Sequence, residues 1–389
     1  MRRQGDSMHR ELSSSVRENV MNLFHYLHTH AEISMKETAT TAFIKEKLDE
    51  LGYRTRTFDD CPGVIGEIGS GKPIVALRAD MDALWQEVNG KLQANHSCGH
   101  DAHMSMVLGA AMVLKEKLDS GAGTVRLVFQ PAEEIGQGAL ELSRRGVLDD
   151  ADYFYGVHLR PIEETKDGRA RPAILHGACG TIRGVIDGED AHGARPHLGT
   201  NSIEVAASIV NALGHLHVNP MIPSSVKMTN LHAGSATNII PGHAEFSLDV
   251  RAQTNEVMAE FKKKIKQIVQ GVAASYGVSI SLDDSHGSPA AVSDPEAIAI
   301  MGAAIKEVLG DDHFDPASLS SGGDDFHQYA IRTPKLKSTM LGLGCDLKPG
   351  LHHPYMTFNH DAMYDGVLIL ATAVLKTFEK VSGSAAVKE

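Results

Sequence analysis

Three short, almost unbroken apolar runs, separated by helical patterns, restrict the fold of this chain more than any other feature. They occur in PIVALRAD, TVRLVFQ and DYFYGVHL. A run that is apolar at every position, as at 74–77, predicts a strand buried on both faces. The segments HMSMVLGAAMVLKEKL and GALELSRRGVL lie between them and read as helices. This alternation predicts an α/β sandwich with helices covering a mainly parallel sheet.

The pattern changes near Ala178, where the predicted elements follow the order β-α-β-β-α-β with antiparallel character. We therefore predict an inserted α+β domain at residues 178–291. Residues 1–177 would form the first part of the main domain, with two helices between Val16 and Tyr53, and residues 292–389 would complete it. A chain of 389 residues is long enough for two domains.

Charge and composition limit the classes of partner. The 37 basic and 49 acidic residues give a formal charge of −12, which repels phosphate backbones and anionic lipids. We therefore expect neither a nucleic-acid nor a membrane partner. The start lacks the apolar segment of a secretory signal, and the four cysteines are scattered without a CxxC pair. These features predict a cytoplasmic protein.

The segment NHSCGHDAHM concentrates groups that bind metal ions. The thiolate of Cys98 and the imidazole of His100 suit zinc and neighbouring transition metals better than magnesium or calcium. Asp101 and His103 are candidates for orienting these ligands. Ser97 is predicted to cap the helix that follows. The alternative is a buried cysteine beside surface histidines.

Carboxylates stand directly after two of the predicted strands. Glu133 and Glu134 follow TVRLVFQ, and Asp80 and Asp82, in RADMDAL, follow the buried run of the strand before it. Ligand sites of open α/β sheets favour this edge. Adjacent side chains leave the backbone in different directions, so one glutamate could bind a metal while the other handles a proton. Solvated turns and helix caps are the alternatives.

Two histidine positions could complete such a site. His158 is predicted to close the strand DYFYGVHL, and His352 and His353 precede a proline in GLHHP. A single histidine at a strand end is more often a core residue than a ligand. The convergence of several strand-end ligands is what favours a metal centre over a Cys98–His100 nucleophile pair, which leaves Glu133 and Glu134 unexplained.

Together, RADMDAL, HSCGHDAHM, LVFQPAEE, YGVHL and LHHP resemble the motifs of the metal-dependent aminoacylase and amidohydrolase family, in the same order. This group includes hippurate hydrolases, auxin-conjugate hydrolases and N-acetyl-diaminopimelate deacetylases. The resemblance spans nearly the whole chain. It implies a zinc-exopeptidase-like catalytic domain, an inserted lid or dimerisation domain, a homodimer, and two divalent metals per subunit. Zinc or manganese is expected, with cobalt or nickel as alternatives.

The resemblance also implies roles for individual residues. Glu133 would be the general base and Asp82 would support the site, while the metal ligands would be Cys98, His100, Glu134, His158 and His352. In the inserted domain, His192 would stabilise the oxyanion and bind substrate, together with Asn238 and Arg251. Without the resemblance, Asn238 is typical of a turn and Arg251 of a surface ion pair.

The implied reaction is hydrolysis of an N-acyl amino acid or related amide to a carboxylic acid and an amino acid. A dipeptidase or carboxypeptidase with the same centre is one alternative, and a non-catalytic metal-binding protein is another. Three departures from the family pattern bear on substrate specificity. Trp85 stands where the family usually has proline, SGGDDFHQY replaces a common Ser-Glu-Asp-Phe segment, and TFNHDAM departs from a more acidic pattern after the late histidine.

Overall fold

The computed structural model describes residues 12–118 and 121–386. These residues divide into two compact units. One comprises the chain up to Leu175, Val292–Ser320 and the chain from Asp324, and the other comprises His176–Ala291 with Ser321–Gly323. Among the described residues, no helix has both the length and the apolar character needed to cross a bilayer.

The elements follow in chain order. The first stretch contains α1 (Ser14–Thr29), α2 (Thr38–Glu50), β1 (Arg54–Thr57), β2 (Val64–Gly69), β3 (Ile74–Asp80), β4 (Leu84–Val88), β5 (Lys91–Asn95), α3 (His100–Lys117), β6 (Thr124–Gln130), α4 (Gly138–Arg144), β7 (Tyr153–Pro161), β8 (Ala170–Arg171) and β9 (Ile174–His176). The second unit contains β10 (Ala178–Asp187), β11 (Ala191–His192), α5 (Ser202–Leu213), β12 (Ser224–Ala233), β13 (Ile239–Ile240), β14 (His243–Ala252), α6 (Asn255–Tyr276) and β15 (Ser279–Ser288). The last stretch contains α7 (Pro295–Leu309), β16 (Ser318–Ser320), α8 (His327–Arg332), β17 (Lys337–Leu347) and α9 (Ala362–Ala386), and short 3-10 turns lie at Pro196–Leu198 and Asp311–His313.

The first unit is built on a seven-stranded sheet of order β1-β2-β6-β3-β7-β17-β8. Its central strands β6, β3, β7 and β17 run parallel, and the flanking strands pair antiparallel. Along β3, Val75 and Leu77 pack into a core with α1, α3, α7 and α9, whereas Ile74 and Ala76 pack into a second core with α4 and α8. Helices therefore cover both faces, which explains the continuous apolar run.

The second unit is a four-stranded antiparallel sheet of order β12-β14-β10-β15. Along β14, alternate residues such as Phe246, Leu248 and Val250 are buried against α5 and α6. One face of this sheet is therefore covered and the other carries polar side chains. The order β10-α5-β12-β14-α6-β15 confirms the predicted α+β pattern, and the fold class as a whole is confirmed.

Three local predictions were wrong. Helix α3 is capped by Gly99, not Ser97, because the chain enters the helix through a φ of 87°, and a Cβ there would lie 2.9 Å from Leu159 Cδ1. Helix α4 ends before Gly146, whose φ of 68° terminates it short of the predicted Leu148. Strand β7 continues to Pro161, so His158 lies inside the strand.

Strands β4 and β5 form a hairpin that the apolar pattern of the sequence did not predict. Its two-residue turn is Asn89-Gly90, both with positive φ (53° and 76°), a strong hairpin signal. The hairpin carries the exposed Trp85 and also Gln86, whose amide nitrogen donates to the backbone oxygen of His352 at 2.8 Å. The hairpin therefore helps to hold the loop after β17.

Candidate metal centre and active site

The carboxyl edge of the parallel strands brings the predicted site residues of the first unit together. Because β3, β6, β7 and β17 run in the same direction, the loops that follow them meet at one edge of the sheet. The start of α3 reaches the same edge. The side chains that meet here are Asp80, Asp82, Cys98, His100, Glu133, Glu134, His158 and His352.

His100 is oriented by the backbone of the loop that follows β3. Its Nδ1 lies 2.8 Å from the carbonyl oxygen of Asp82, to which it donates. The opposite nitrogen, Nε2, is buried without a hydrogen-bond partner and lies 3.8 Å from Glu134 Oε1, which is also unpartnered. Burying two polar atoms without hydrogen-bond partners costs free energy of folding. A cation bound between these two atoms would give each of them a partner.

Cys98 and His158 form the next part of the cluster. His158 Nδ1 donates to the Leu159 carbonyl oxygen at 2.7 Å, so Nε2 presents its lone pair, 3.6 Å from Cys98 Sγ. Burial, with His103 and Arg160 nearby, holds the pKa of His158 well below its usual value. A neutral imidazole in this orientation is the form that binds metals.

These donors form two overlapping groups. Within each group the ligand atoms lie within 4.8 Å of one another: Cys98 with His100 and His158, and Cys98 with Glu134 and His352. His352 Nε2 also lies 3.3 Å from Glu134 Oε2. One sulfur, three imidazoles and a carboxylate suit zinc-like ions. These residues would therefore hold two neighbouring divalent ions.

Glu133 is buried among other acids. Burial, followed by the charges of Asp324, Asp325 and Glu134, raises the pKa of Glu133 well above its usual value. Its Oε1 accepts a hydrogen bond from the Asp325 amide at 3.4 Å, and its Oε2 lies 4.0 Å from His100 Nε2. A carboxyl group with raised proton affinity beside a metal-type donor set is suited to taking and returning a proton.

Asp82 holds the backbone of both glutamates. Its Oδ1 accepts from the Glu133 amide at 3.1 Å, and its Oδ2 accepts from the Glu134 amide at 3.0 Å and from the Ser34 hydroxyl at 2.6 Å. Burial raises the pKa of Asp82, but the neighbouring His100 ring, followed by the Ser34 hydroxyl and the Glu134 amide, outweighs burial, so the pKa is lowered overall. Asp82 thus acts on the loop that follows β6.

The side chain of His103 hydrogen-bonds to two neighbouring strands of the sheet and not to the donor cluster. Its Nδ1 lies 2.7 Å from Asp80 Oδ1, and its Nε2 accepts from the Leu159 amide at 3.0 Å. Both nitrogens are occupied, so His103 links the ends of β3 and β7. Asp101 instead pairs with His28 Nδ1 at 2.7 Å, on α1.

A buried ion network beneath the centre was not predicted. Arg78, fully buried on β3, donates to Asp80 at 2.6 Å, to Asp325 at 3.0 Å and to Gln130 at 3.1 Å. Asp325 also accepts from the Gln130 amide nitrogen at 2.8 Å. The signal in the sequence is an arginine inside an otherwise apolar strand, since buried charges require partners. The partner segment, GGDD, stands out in the sequence only as a departure from the family.

Two of the predicted residues of the second unit lie together. His192 pairs with Ile239 in the β11–β13 ladder, and Gly193 donates to the Asn238 carbonyl oxygen at 2.9 Å. His192 Nδ1 accepts from the Ala194 amide at 3.0 Å, so Nε2 of the neutral ring carries the proton and can donate. Arg251 lies apart on β14, exposed and 3.2 Å from Asp249.

Comparisons with known proteins identify the family of this chain. The family model of peptidase family M20/M25/M40 matches residues 76–376. An N-acetyl-L-cysteine deacetylase of Bacillus subtilis is 33% identical over 90% of this chain and 86% of its own length. The IAA-amino acid hydrolase ILR1-like 2 of Arabidopsis thaliana is 30% identical over 92% of this chain and 84% of its own.

Solved structures share the same fold. The Bacillus subtilis YXEP protein, described as a dinuclear metal binding peptidase from the M20 family, matches with a TM-score of 0.79 at 26% identity, over 95% of this chain and 99% of its own. A protein from methicillin-resistant Staphylococcus aureus matches with a TM-score of 0.85 at 28% identity, over 93% and 96%. With its cluster of thiolate, imidazole and carboxylate donors, this chain therefore belongs to peptidase family M20/M25/M40 and is a hydrolase of amide bonds.

Proposed function

We propose that this protein hydrolyses the amide bond of N-acyl amino acids or related small amide conjugates, releasing a carboxylic acid and a free amino acid. The observation that carries the proposal is the position of Glu133. Its carboxyl group lies within reach of His100 and Glu134, but it belongs to neither of the two groups that contain Cys98. A protein that only binds metal needs the ligand Glu134, but it has no use for a second buried carboxyl group with raised proton affinity.

The proposed metal ligands are Cys98, His100, Glu134, His158 and His352. Two divalent ions held there would polarise the amide carbonyl and make water acidic. Zinc or manganese is our first expectation, and cobalt or nickel could occupy the same donors. Metal analysis of the purified protein by mass spectrometry tests both the number and the identity of the ions.

Glu133 is proposed to accept a proton from the attacking water and return it to the leaving nitrogen, which completes amide cleavage. Asp82 positions Glu133 and Glu134 through their backbone amides. His192 is proposed as a donor to the developing oxyanion through Nε2–H. We assign Asn238 and Arg251 to substrate binding.

The relatives support an acyl amino acid substrate. Two are named for N-acetyl-L-cysteine and for IAA-amino acids. Peptide cleavage is the second candidate function, because a thermostable carboxypeptidase of Saccharolobus solfataricus is 29% identical over 83% of this chain. We further propose a homodimer in a reducing, cytoplasmic setting, which fits the four free cysteines. Sedimentation analysis of the metal-loaded protein tests the homodimer.

The first test is a substrate panel. The metal-loaded protein is incubated with N-acyl amino acids that vary in acyl group and side chain, with free-amine dipeptides alongside and a chelated sample as control. Release of amino acid from N-acyl substrates that stops on chelation is expected. Faster cleavage of dipeptides would select the peptidase alternative, and no cleavage of any substrate with two metals bound would contradict the proposal.

A further inference from the structure

Glu37 is a buried carboxyl group without a role in the reaction proposed above. It stands at the N-cap of α2, but its side chain makes no capping hydrogen bond. Glu32 caps that helix instead, accepting from the amides of Ala39 and Thr40. Glu37 is completely inaccessible to solvent, and its Oε1 accepts a hydrogen bond of 2.8 Å from the Ala132 amide.

Ala132 has an unusual backbone conformation. Its φ is 54°, in the left-handed region that residues with a Cβ seldom occupy. The turn is held from both sides, because the Ala132 carbonyl oxygen also accepts from the amides of Gln137 and Gly138 at 3.2 and 3.1 Å. Glu133 and Glu134 follow directly, so the conformation of Ala132 sets the direction in which both carboxyl groups leave the backbone.

Two carboxylates thus hold three consecutive amides. Glu37 binds the amide of Ala132, and Asp82 binds those of Glu133 and Glu134. They come from separate parts of the chain, one before α2 and one after β3. Burial of a carboxyl group is expensive unless hydrogen bonds compensate it, so a buried acid directed at this one turn indicates a specific use.

We propose that Glu37 is a positioning residue of the active site, which keeps Ala132 in its left-handed turn and thereby places the general base Glu133 and the ligand Glu134. The role of Glu133 in this statement rests on the proposed function. The hydrogen-bond geometry is required, and the negative charge is not.

Three substitutions separate these contributions. Glu37→Gln keeps an oxygen that can accept from the Ala132 amide but removes the charge. Glu37→Asp keeps the charge but is one methylene too short for the same bond. Glu37→Ala removes both. Glu32→Ala is the matched control, because it removes an acid of the same segment whose hydrogen bonds go to Ala39 and Thr40 at the start of α2.

The measurements are kcat and KM on the best panel substrate, the Kd for Mn²⁺ by calorimetry of the chelator-stripped protein, and the unfolding midpoint. Glu37→Asp and Glu37→Ala should lower kcat and weaken Mn²⁺ binding by about 10-fold or more, as is typical when a partner behind a ligand is lost. Glu37→Gln should stay within about threefold of wild type. Glu32→Ala should lower the unfolding midpoint and leave kcat and Kd unchanged.

The proposal would be overturned if the Asp and Ala variants had the kcat and the Mn²⁺ Kd of the wild type. It would also be overturned if the Gln variant lost as much activity and Mn²⁺ affinity as the Asp and Ala variants. If the Ala variant does not fold, the contrast between Asp and Gln decides. The Mn²⁺ affinity does not depend on turnover. If wild type cleaves no amide but the variants show the expected order of Kd, the proposed function fails while Glu37 keeps its positioning role.

Discussion

Adjacent residues in this centre have different environments because their side chains diverge. Glu134 is directed to His100 and His352, and Glu133 is directed to the Asp324–Asp325 pair. The neighbours of Glu134 are mainly histidines, whereas those of Glu133 are mainly carboxyl groups, with His100 Nε2 farther away at 4.0 Å. This difference supports the proposed division of roles, in which Glu134 is a metal ligand and Glu133 carries the proton.

At this scale, Glu133→Gln is the direct test of the proton carrier. The amide cannot accept a proton, so kcat should fall by about 10²–10⁴-fold, while two metals per chain remain bound. Glu141→Gln on α4, which removes an ion pair with Arg145, serves as control and should leave kcat unchanged. Retained turnover in the Glu133 variant would remove this residue from the proposed mechanism.

At the scale of elements, the turn between β6 and α4 leaves no room for a side chain at the first residue of α4, Gly138. A Cβ on Gly138 would lie 1.6 Å from the Pro131 carbonyl oxygen. The short helix α4 can therefore approach the end of β6 only through a glycine. This approach also places the Gly138 amide on the Ala132 carbonyl oxygen.

We therefore expect Gly138→Ala to lower the free energy of unfolding by about 3 kcal/mol, since the clash is with backbone and the chain must shift. Gly271→Ala is the matched control: Gly271 lies in α6, and apart from the backbone of its own helix, a methyl group added to it would meet no atom within 4 Å. It should stabilise the protein by about 0.5–1 kcal/mol. Denaturant unfolding measures both, and equal effects of the two substitutions would contradict the packing argument.

Glu296 joins several elements of the first unit. Glu296 lies in the first turn of α7. Its carboxylate accepts hydrogen bonds from Lys337 on β17 at 2.5 Å and from the Tyr153 hydroxyl on β7 at 2.7 Å. It also forms an ion pair with Lys380 on α9 at 3.1 Å. The Lys337 bond, followed by that of Tyr153, lowers the pKa of Glu296 to about 2.

A lowered folded-state pKa means that the ionised carboxylate stabilises the fold above the unfolded value of about 4.5. This stabilisation is lost as pH falls from there towards 2. We expect Glu296→Gln to lower the free energy of unfolding by about 1 kcal/mol at pH 7. Urea unfolding from pH 7 to pH 3 should show the difference shrinking, and a difference independent of pH would contradict the assignment.

At the scale of the whole molecule, the metal centre couples binding to stability. The unfolded chain cannot present donors that lie as far apart in sequence as Cys98 and His352, so metals bind the folded state preferentially. Stripping the protein with a chelator should lower the unfolding midpoint. Readdition of Zn²⁺ at about 100 times its Kd should restore about 2.7 kcal/mol. A midpoint indifferent to chelation would mean that the cluster holds no ion in the folded protein.

The sequence alone determined the architecture and the family. Its continuous apolar runs could be buried only in a sheet covered on both faces, and the change of pattern near Ala178 indicated the inserted α+β segment. The resemblance of its motifs to those of the family also implied the donor residues, because each motif is a short local segment of the chain. Their individual roles stay predictions, although the structure brings the donors of the first unit within reach of one another.

The partners that support those donors become apparent only in the folded chain. Arg78 meets Asp325 across 247 residues, and Glu37 meets Ala132 across 95. Neither pairing leaves a periodic trace in the sequence, since an isolated buried charge shows that a partner is needed without showing which one. Hydrophobic periodicity reports which face of an element is buried, whereas long-range polar pairing depends on how the elements are finally packed.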